Sequence, residues 1–151
     1  MARAFPDSQI PLLRAALNRL IPPGGDFPGA GDLELLDHLD RVACGSPRAR
    51  RMFVEGVRLI ALESERRYGT SFEELAPADQ DTVLQHVEAG QRVFFDAFVS
   101  EVYQAYYSHR TIIDLLGLEV RPPQPLGHVL PPFDAAVTRP TAGRRALYRQ
   151  P

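Results

Sequence analysis

His109 and His128, with Asp114 and Asp134 near them in sequence, are the residues of this chain best suited to acid–base chemistry. A His/Asp pair can carry a proton near neutral pH, but it needs a nucleophile or a substrate pocket beside it. No Gly-x-Ser-x-Gly elbow and no Cys/His arrangement accompanies these four. The sequence therefore favours hydrogen bonding within an interface, where polar and aromatic anchors share a patch. A second cluster, Asp32, Glu34, Asp37, His38 and Asp40, offers metal-ligand types along one short helix. No second liganding segment at a matching spacing supports it. Asp37 and Arg41 stand at helical spacing, so Glu34, Asp37, His38 and Arg41 are expected on the solvent side. A third candidate is the loop Gly24-Gly25-Asp26-Phe27-Pro28-Gly29-Ala30-Gly31-Asp32. A dinucleotide loop needs a preceding strand and free amides aimed at a pyrophosphate. Here a helix precedes, and Asp26 and Asp32 would repel phosphate, so a shaped interhelical turn is expected. His86, among polar neighbours, reads as surface.

Composition removes further chemistries. All seventeen basic side chains are arginine, which excludes a Schiff-base lysine and a Walker-type phosphate loop. The single cysteine, Cys44, excludes an internal disulfide and a thiolate zinc site, while pairing with another chain stays open. At 151 residues, 44% hydrophobic and a net charge of −2, the chain has the size of one domain. It carries no general attraction for nucleic acid. Arg144, Arg145 and Arg149 around Tyr148 read as a solvated basic tail. No apolar run approaches the roughly 20 residues that span a bilayer.

Six helices and no strand are expected, an all-α fold. Ser8 is placed as the cap of a first helix to about Leu20, with Ile10, Leu13, Leu17 and Leu20 on one stripe and Pro22-Pro23 as the stop. Asp32 is placed as the cap of a second, with Leu35, Leu36, Leu39 and Val42 inward. Ser46-Pro47 opens a third and longest helix to Tyr68, stopped by Gly69. Its inner face reads Phe53, Gly56, Val57, Ile60, Ala61 and Ser64. Thr70-Ser71-Phe72-Glu73-Glu74 holds a capping box for a short turn, and Pro77 opens a fourth helix to about Ala89. The fifth, 91–107, carries Phe94, Phe95, Phe98, Val99, Val102, Tyr103 and Tyr106 on its buried arc and is expected at the centre. Tyr107 falls toward the polar strip and is the better interface candidate. A sixth, about 109–116, ends at Gly117.

Beyond it the character changes. Seven of the fourteen prolines lie at or after Pro122. Each fixes φ and removes a donor, so the stretch is expected to be extended. Yet it carries Val120, Leu126, Val129, Leu130 and Phe133, too much apolar surface for a solvated spacer. The expected organisation is a helical body, 1–117, and a docking arm, 118–151, that does not fold independently. Leu126, His128 and Phe133 are its expected anchors.

In order along the chain, Leu20-Ile21-Pro22-Pro23, Asp26-Phe27-Pro28-Gly29-Ala30-Gly31, Tyr68-Gly69 with Phe72 and Leu75, and Tyr106-Tyr107-Ser108-His109 form one pattern. It continues in Pro123-Gln124-Pro125-Leu126-Gly127-His128, Pro132-Phe133-Asp134, Arg145 and Tyr148-Arg149. This pattern, over nearly the whole chain, resembles the gluconate 2-dehydrogenase subunit 3 family. The resemblance implies a non-catalytic small subunit, with no catalytic, cofactor-binding or metal residue of its own. Its implied partner is a large FAD-containing flavoprotein of the glucose–methanol–choline type that oxidises sugars, polyols or sugar acids, in some complexes with a cytochrome c subunit. The implied role is maturation or export of that partner in a hetero-oligomer. Phe27, Pro28, Tyr107, His109, Pro125, Leu126, Gly127, His128, Phe133 and Tyr148 are the expected partner-interface residues. Many family members carry a twin-arginine leader, and none is visible here. The chain is therefore expected in the cytoplasm, or in the periplasm if a leader was removed or the partner carries the signal.

Overall fold

Proline and glycine punctuate the helices much as their chemistry dictates. The computed structural model describes residues 3–118 together with Asp134 and Ala136. The other residues of the expected arm, including Pro125, Leu126, Gly127, His128, Phe133 and Tyr148, lie outside the described residues. The chain divides into two units, Met1–Glu119 and Val120–Pro151. In the first, α1 spans Ile10–Leu20 and α2 Leu36–Cys44, and α3 spans Pro47–Tyr68. Then α4 covers Pro77–Gly90, α5 Arg92–Tyr107 and α6 Arg110–Leu115. Short 3-10 turns sit at Asp7–Gln9, Ala30–Asp32 and Phe72–Glu74. Among the described residues there is no strand, only an isolated bridge between Gly24 and Phe27.

At the start of α3 the Ser46 hydroxyl accepts the Ala49 amide at 3.0 Å, and Pro47 takes the first helical position. Such a cap stabilises a helix by about 1 kcal/mol. At its end Gly69 adopts φ of +69°, and its amide donates to the Glu65 carbonyl. A Cβ there would meet open space, but this left-handed backbone strains any L side chain, which is why glycine stops the helix. Gly117, at φ of +67°, closes α6 the same way, with the Leu118 amide reaching back to the Ile113 carbonyl at 3.1 Å.

Two expected caps are not caps. Ser8 lies inside the 3-10 turn before α1, and no side chain caps that helix. Pro11, lacking an amide proton, leaves one donor fewer to satisfy there. Asp32 does not open α2, which starts at Leu36 without a side-chain cap. Its carboxylate is engaged backwards, accepting the Gly29 amide and the Asn18 side-chain amide, both at 3.2 Å. An Asp cannot cap a helix while its oxygens close the preceding loop. The Thr70 hydroxyl donates to the Glu74 carboxylate, but no side chain caps the 3-10 turn at Phe72.

Helix α5 touches all five other helices and is the centre of the body, as its aromatic content predicts. Phe98 and Val102 are fully buried. Phe94 meets Phe53 edge-on with ring centroids 6.1 Å apart and stacks on Phe98 at 5.5 Å. Burying each such ring contributes about 1.5–3 kcal/mol. The Phe94 ring lies directly on Gly56, where a Cβ would stand 2.2 Å from it. The expected inner face of α3 is buried at Phe53, Gly56, Val57, Ile60 and Ser64, while Ala61 is half-buried. Ser64 is satisfied in the core by donating to the Thr70 carbonyl at 2.8 Å. Between helices, the Arg19 guanidinium grips Asp81 through two bonds of 2.7 Å, joining α1 to α4. No helix among the described residues is long and apolar enough to cross a membrane.

Candidate partner interface

Three of the four groups best suited to acid–base chemistry lie among the described residues, and each of the three has a structural partner. The His109 ring accepts the Thr111 amide through Nδ1 at 3.3 Å, so the residue caps α6. Asp114 pairs with Arg110 at 2.9 Å, one turn away on the same helix. Asp134 accepts the Ala136 amide at 2.8 Å. His128 lies outside the described residues. The ligand-type cluster expected on one helix is likewise dispersed, with Asp32 and Glu34 lying before α2. His38 Nε2 sits 2.9 Å from Glu101 Oε2 on α5, and both are largely covered. Its expected place on the open solvent side is thus corrected, because Glu101 draws it over the α2–α5 seam. Asp40 accepts the Ala4 and Phe5 amides, at 2.7 and 3.2 Å, and pins the N-terminal segment to α2. Among the described residues no three His, Cys, Asp or Glu side chains converge in a group that could hold a metal ion. His86, exposed as expected, contacts Arg67 at 2.7 Å, and Arg67 with Arg66 chelates Glu63. The two guanidiniums pull the Glu63 carboxyl down to about 2.

The loop 24–32 does not fit a dinucleotide. Most of its amides already donate inside the chain. Gly24 and Phe27 exchange backbone bonds of 3.0 and 3.1 Å, and Ala30 donates to the Ile21 carbonyl at 3.0 Å. Gly29 donates to Asp32 and Gly31 to the Asn18 side chain, the latter at 2.7 Å. A pyrophosphate would meet the exposed carboxylates of Asp26 and Asp32 there. Gly29 and Gly31 are required by closeness, since a Cβ would stand 2.2 Å from Asn18 Oδ1 at the first and 2.1 Å from the Arg14 carbonyl oxygen at the second. The shaped-turn expectation is therefore met, and Asn18, whose role no local pattern signals, is its keystone.

Two sequence-distant pieces of the expected interface meet at the end of α5. The Tyr106 hydroxyl donates to the Pro28 carbonyl at 2.8 Å, holding the Phe27–Pro28 corner to the helix. Burial, with Tyr107 beside it, pushes the Tyr106 phenol up from its ordinary value, so it stays a donor. The Tyr107 ring stands edge-on to Tyr106 at 5.3 Å and 52% of the residue is exposed. Phe27 is half-buried and packs against the core, so its ring is an internal anchor more than an exposed one.

Tyr103 corrects the sequence reading. Expected in the core, it is 43% exposed and faces Tyr107 with ring centroids 6.0 Å apart. At about 100° per residue it falls about 60° beyond Tyr106, past the arc that the neighbouring helices cover. Further along, Leu115, Leu116 and Leu118 are exposed where α6 gives way to the rest of the chain.

The family model for gluconate 2-dehydrogenase subunit 3 matches residues 7–118. The match covers all six helices, while the arm pieces of the sequence pattern, from Pro123 onward, lie beyond it. No curated protein and no solved structure matches the chain. With a full-length helical body matched from the turn before α1 to the residue after the α6 cap, the chain belongs to the gluconate 2-dehydrogenase subunit 3 family and is a subunit of a dehydrogenase complex.

Proposed function

We propose that this chain is a non-catalytic accessory subunit that binds and stabilises a large FAD-containing dehydrogenase subunit of the glucose–methanol–choline type, acting on a sugar, polyol or glycoside. The family match over the whole helical body carries this reading. The loop 24–32, most of whose amides are bonded within the chain, supports placing FAD in the partner. The arm, 118–151, supplies further docking surface through Leu126, His128 and Phe133, stiffened by its prolines, which lowers the ordering entropy lost on binding. A cytochrome c subunit completes the electron path in some such assemblies. The chain works in the compartment where the flavoprotein folds.

Co-expression with the flavoprotein encoded in the adjoining reading frame tests this. The large subunit should be soluble and flavin-loaded with the chain present and deficient without it. The chain alone should bind no FAD and oxidise no sugar. Stoichiometric flavin in the isolated chain overturns the reading, as does full loading of the large subunit in its absence. Truncation after Gly117 should keep the helical circular dichroism and abolish association. If the truncated chain unfolds, the arm packs on its own body, and a self-contained helical adaptor becomes the better account.

A further inference from the structure

Asp, Glu and Arg make up 24% of the chain and recur at short intervals along the described residues. The end of α5 is the exception. From Val102 to His109 there is no Asp, Glu or Arg, and Glu101 just before is paired with His38. Arg110 and Asp114 just after neutralise each other. Within that neutral window Tyr103 and Tyr107 stand side by side and exposed, flanked by the exposed Gln104, Ser108 and Thr111. Depletion of charge with enrichment of tyrosine is the composition of the buried centre of a protein–protein interface. A nucleic acid would need cations here, and there are none unpaired in the window.

We infer that the Tyr103–Tyr107 pair is the docking surface of the body for the catalytic subunit, and that the Tyr106 hydroxyl, by holding the Pro28 corner, fixes the platform's inner edge. This deepens the proposed function and rests on it. Two observations argue for that occupant. Membership of a dehydrogenase-subunit family supplies a partner of protein surface. Residues 119–151 also follow in sequence on α6, the helix next after this platform, and Leu118 is exposed there. The tyrosines bring their own rigidity, with two side-chain torsions each to order, and their hydroxyls can be satisfied by polar groups of the partner.

The three tyrosines give a direct readout, because tetranitromethane nitrates exposed rings. In the free full-length chain Tyr103 and Tyr107 should be nitrated and Tyr106, 3% exposed, spared. In the complex with the co-expressed flavoprotein, Tyr103 and Tyr107 should become protected. Tyr103→Ala and Tyr107→Ala should each weaken the complex by about 30-fold or more, the range of a central aromatic anchor. Tyr106→Phe should weaken it by about 3- to 10-fold with unchanged circular dichroism. Wild-type complex with both rings still nitrated, or undiminished by both alanine variants, overturns the platform while leaving the accessory-subunit reading intact. Failure of the wild-type chain to bind the flavoprotein overturns both. Protection in the free chain that vanishes on removing residues 119–151 assigns the platform to the chain's own arm. Protection that scales with concentration and accompanies dimers in sedimentation assigns it to a second copy. Either of these last results also overturns the inference.

Discussion

The loop 24–32 and the end of α5 are joined by a single hydrogen bond, from Tyr106 to Pro28, yet they use their residues in opposite ways. The loop is rich in glycine, proline and aspartate, the composition of a ligand-binding turn, and it bonds most of its amides within the chain. Asn18 and Asp32 close it from both sides, and Gly31 lies against the α1 backbone. The end of α5 is rich in aromatics, the composition of a core, and it turns two of its three tyrosines outward. Composition alone would assign the two roles the wrong way round. What decides is whether each polar or aromatic group finds its partner within the chain.

That contrast can be broken by mutation. Gly31→Ala should be the most damaging change, about 3 kcal/mol by urea unfolding, because a Cβ 2.1 Å from the Arg14 carbonyl must displace backbone. Tolerance of alanine there would mean the loop is loosely held. Asn18→Ala should cost about 1–3 kcal/mol, since it strips the Gly31 amide of its acceptor and Asp32 of a donor. Tyr106→Phe should cost about 1 kcal/mol of stability through the unpaired Pro28 carbonyl. On the other side, Tyr107→Ala should shift unfolding by less than about 0.5 kcal/mol, as expected of an exposed site. A Tyr107 variant less stable than the Asn18 variant would reverse the comparison.

The smallest effect serves as a control on α3, outside both regions. Glu63, held at about 2 by Arg66 and Arg67, has its carboxyl depressed below the unfolded value of roughly 4.3. Its stabilising contribution is complete above that unfolded value and is lost as pH falls through about 2. Glu63→Gln should therefore flatten the wild-type decline in thermal midpoint between roughly pH 4 and pH 2, by a small margin because its first partner, Arg66, is exposed to solvent. An unchanged acid limb would show that these ion pairs do not hold in solution.

The helices were legible because their limits are chemical. Ser46, Pro47 and Gly69 state the ends of α3 outright, and the small residues Gly56 and Ser64 mark its inner face. Pairings across long separations left no local trace. Arg19 with Asp81 and His38 with Glu101 each join helices more than sixty residues apart, |i−j| of 62 and 63. Asp32 looked like a helix cap because the capping pattern is short-range, while its actual partner Asn18 lies on the previous helix. Tyr103 was misplaced for a different reason. Periodicity gives the direction of a side chain but not the width of the arc that neighbouring helices cover, and that width exists only after packing. The interface candidates Phe27, Pro28, Tyr107 and His109 were named from a pattern, but that they gather about the end of α5 follows only from the Tyr106 bond.

The tyrosine triplet also makes the molecule its own optical probe. The chain has five tyrosines and no tryptophan, so its near-ultraviolet absorption and emission come from tyrosine without a brighter fluorophore to mask them. Three of the five lie in one ring cluster, with centroids 5.3 and 6.0 Å apart and one pair nearly perpendicular. Close aromatic pairs in fixed geometry couple their transitions, so this corner should dominate the near-ultraviolet circular dichroism. A flavoprotein carrying tryptophan and an isoalloxazine ring would accept that emission on docking. Quenching of tyrosine light would then time the encounter without any label.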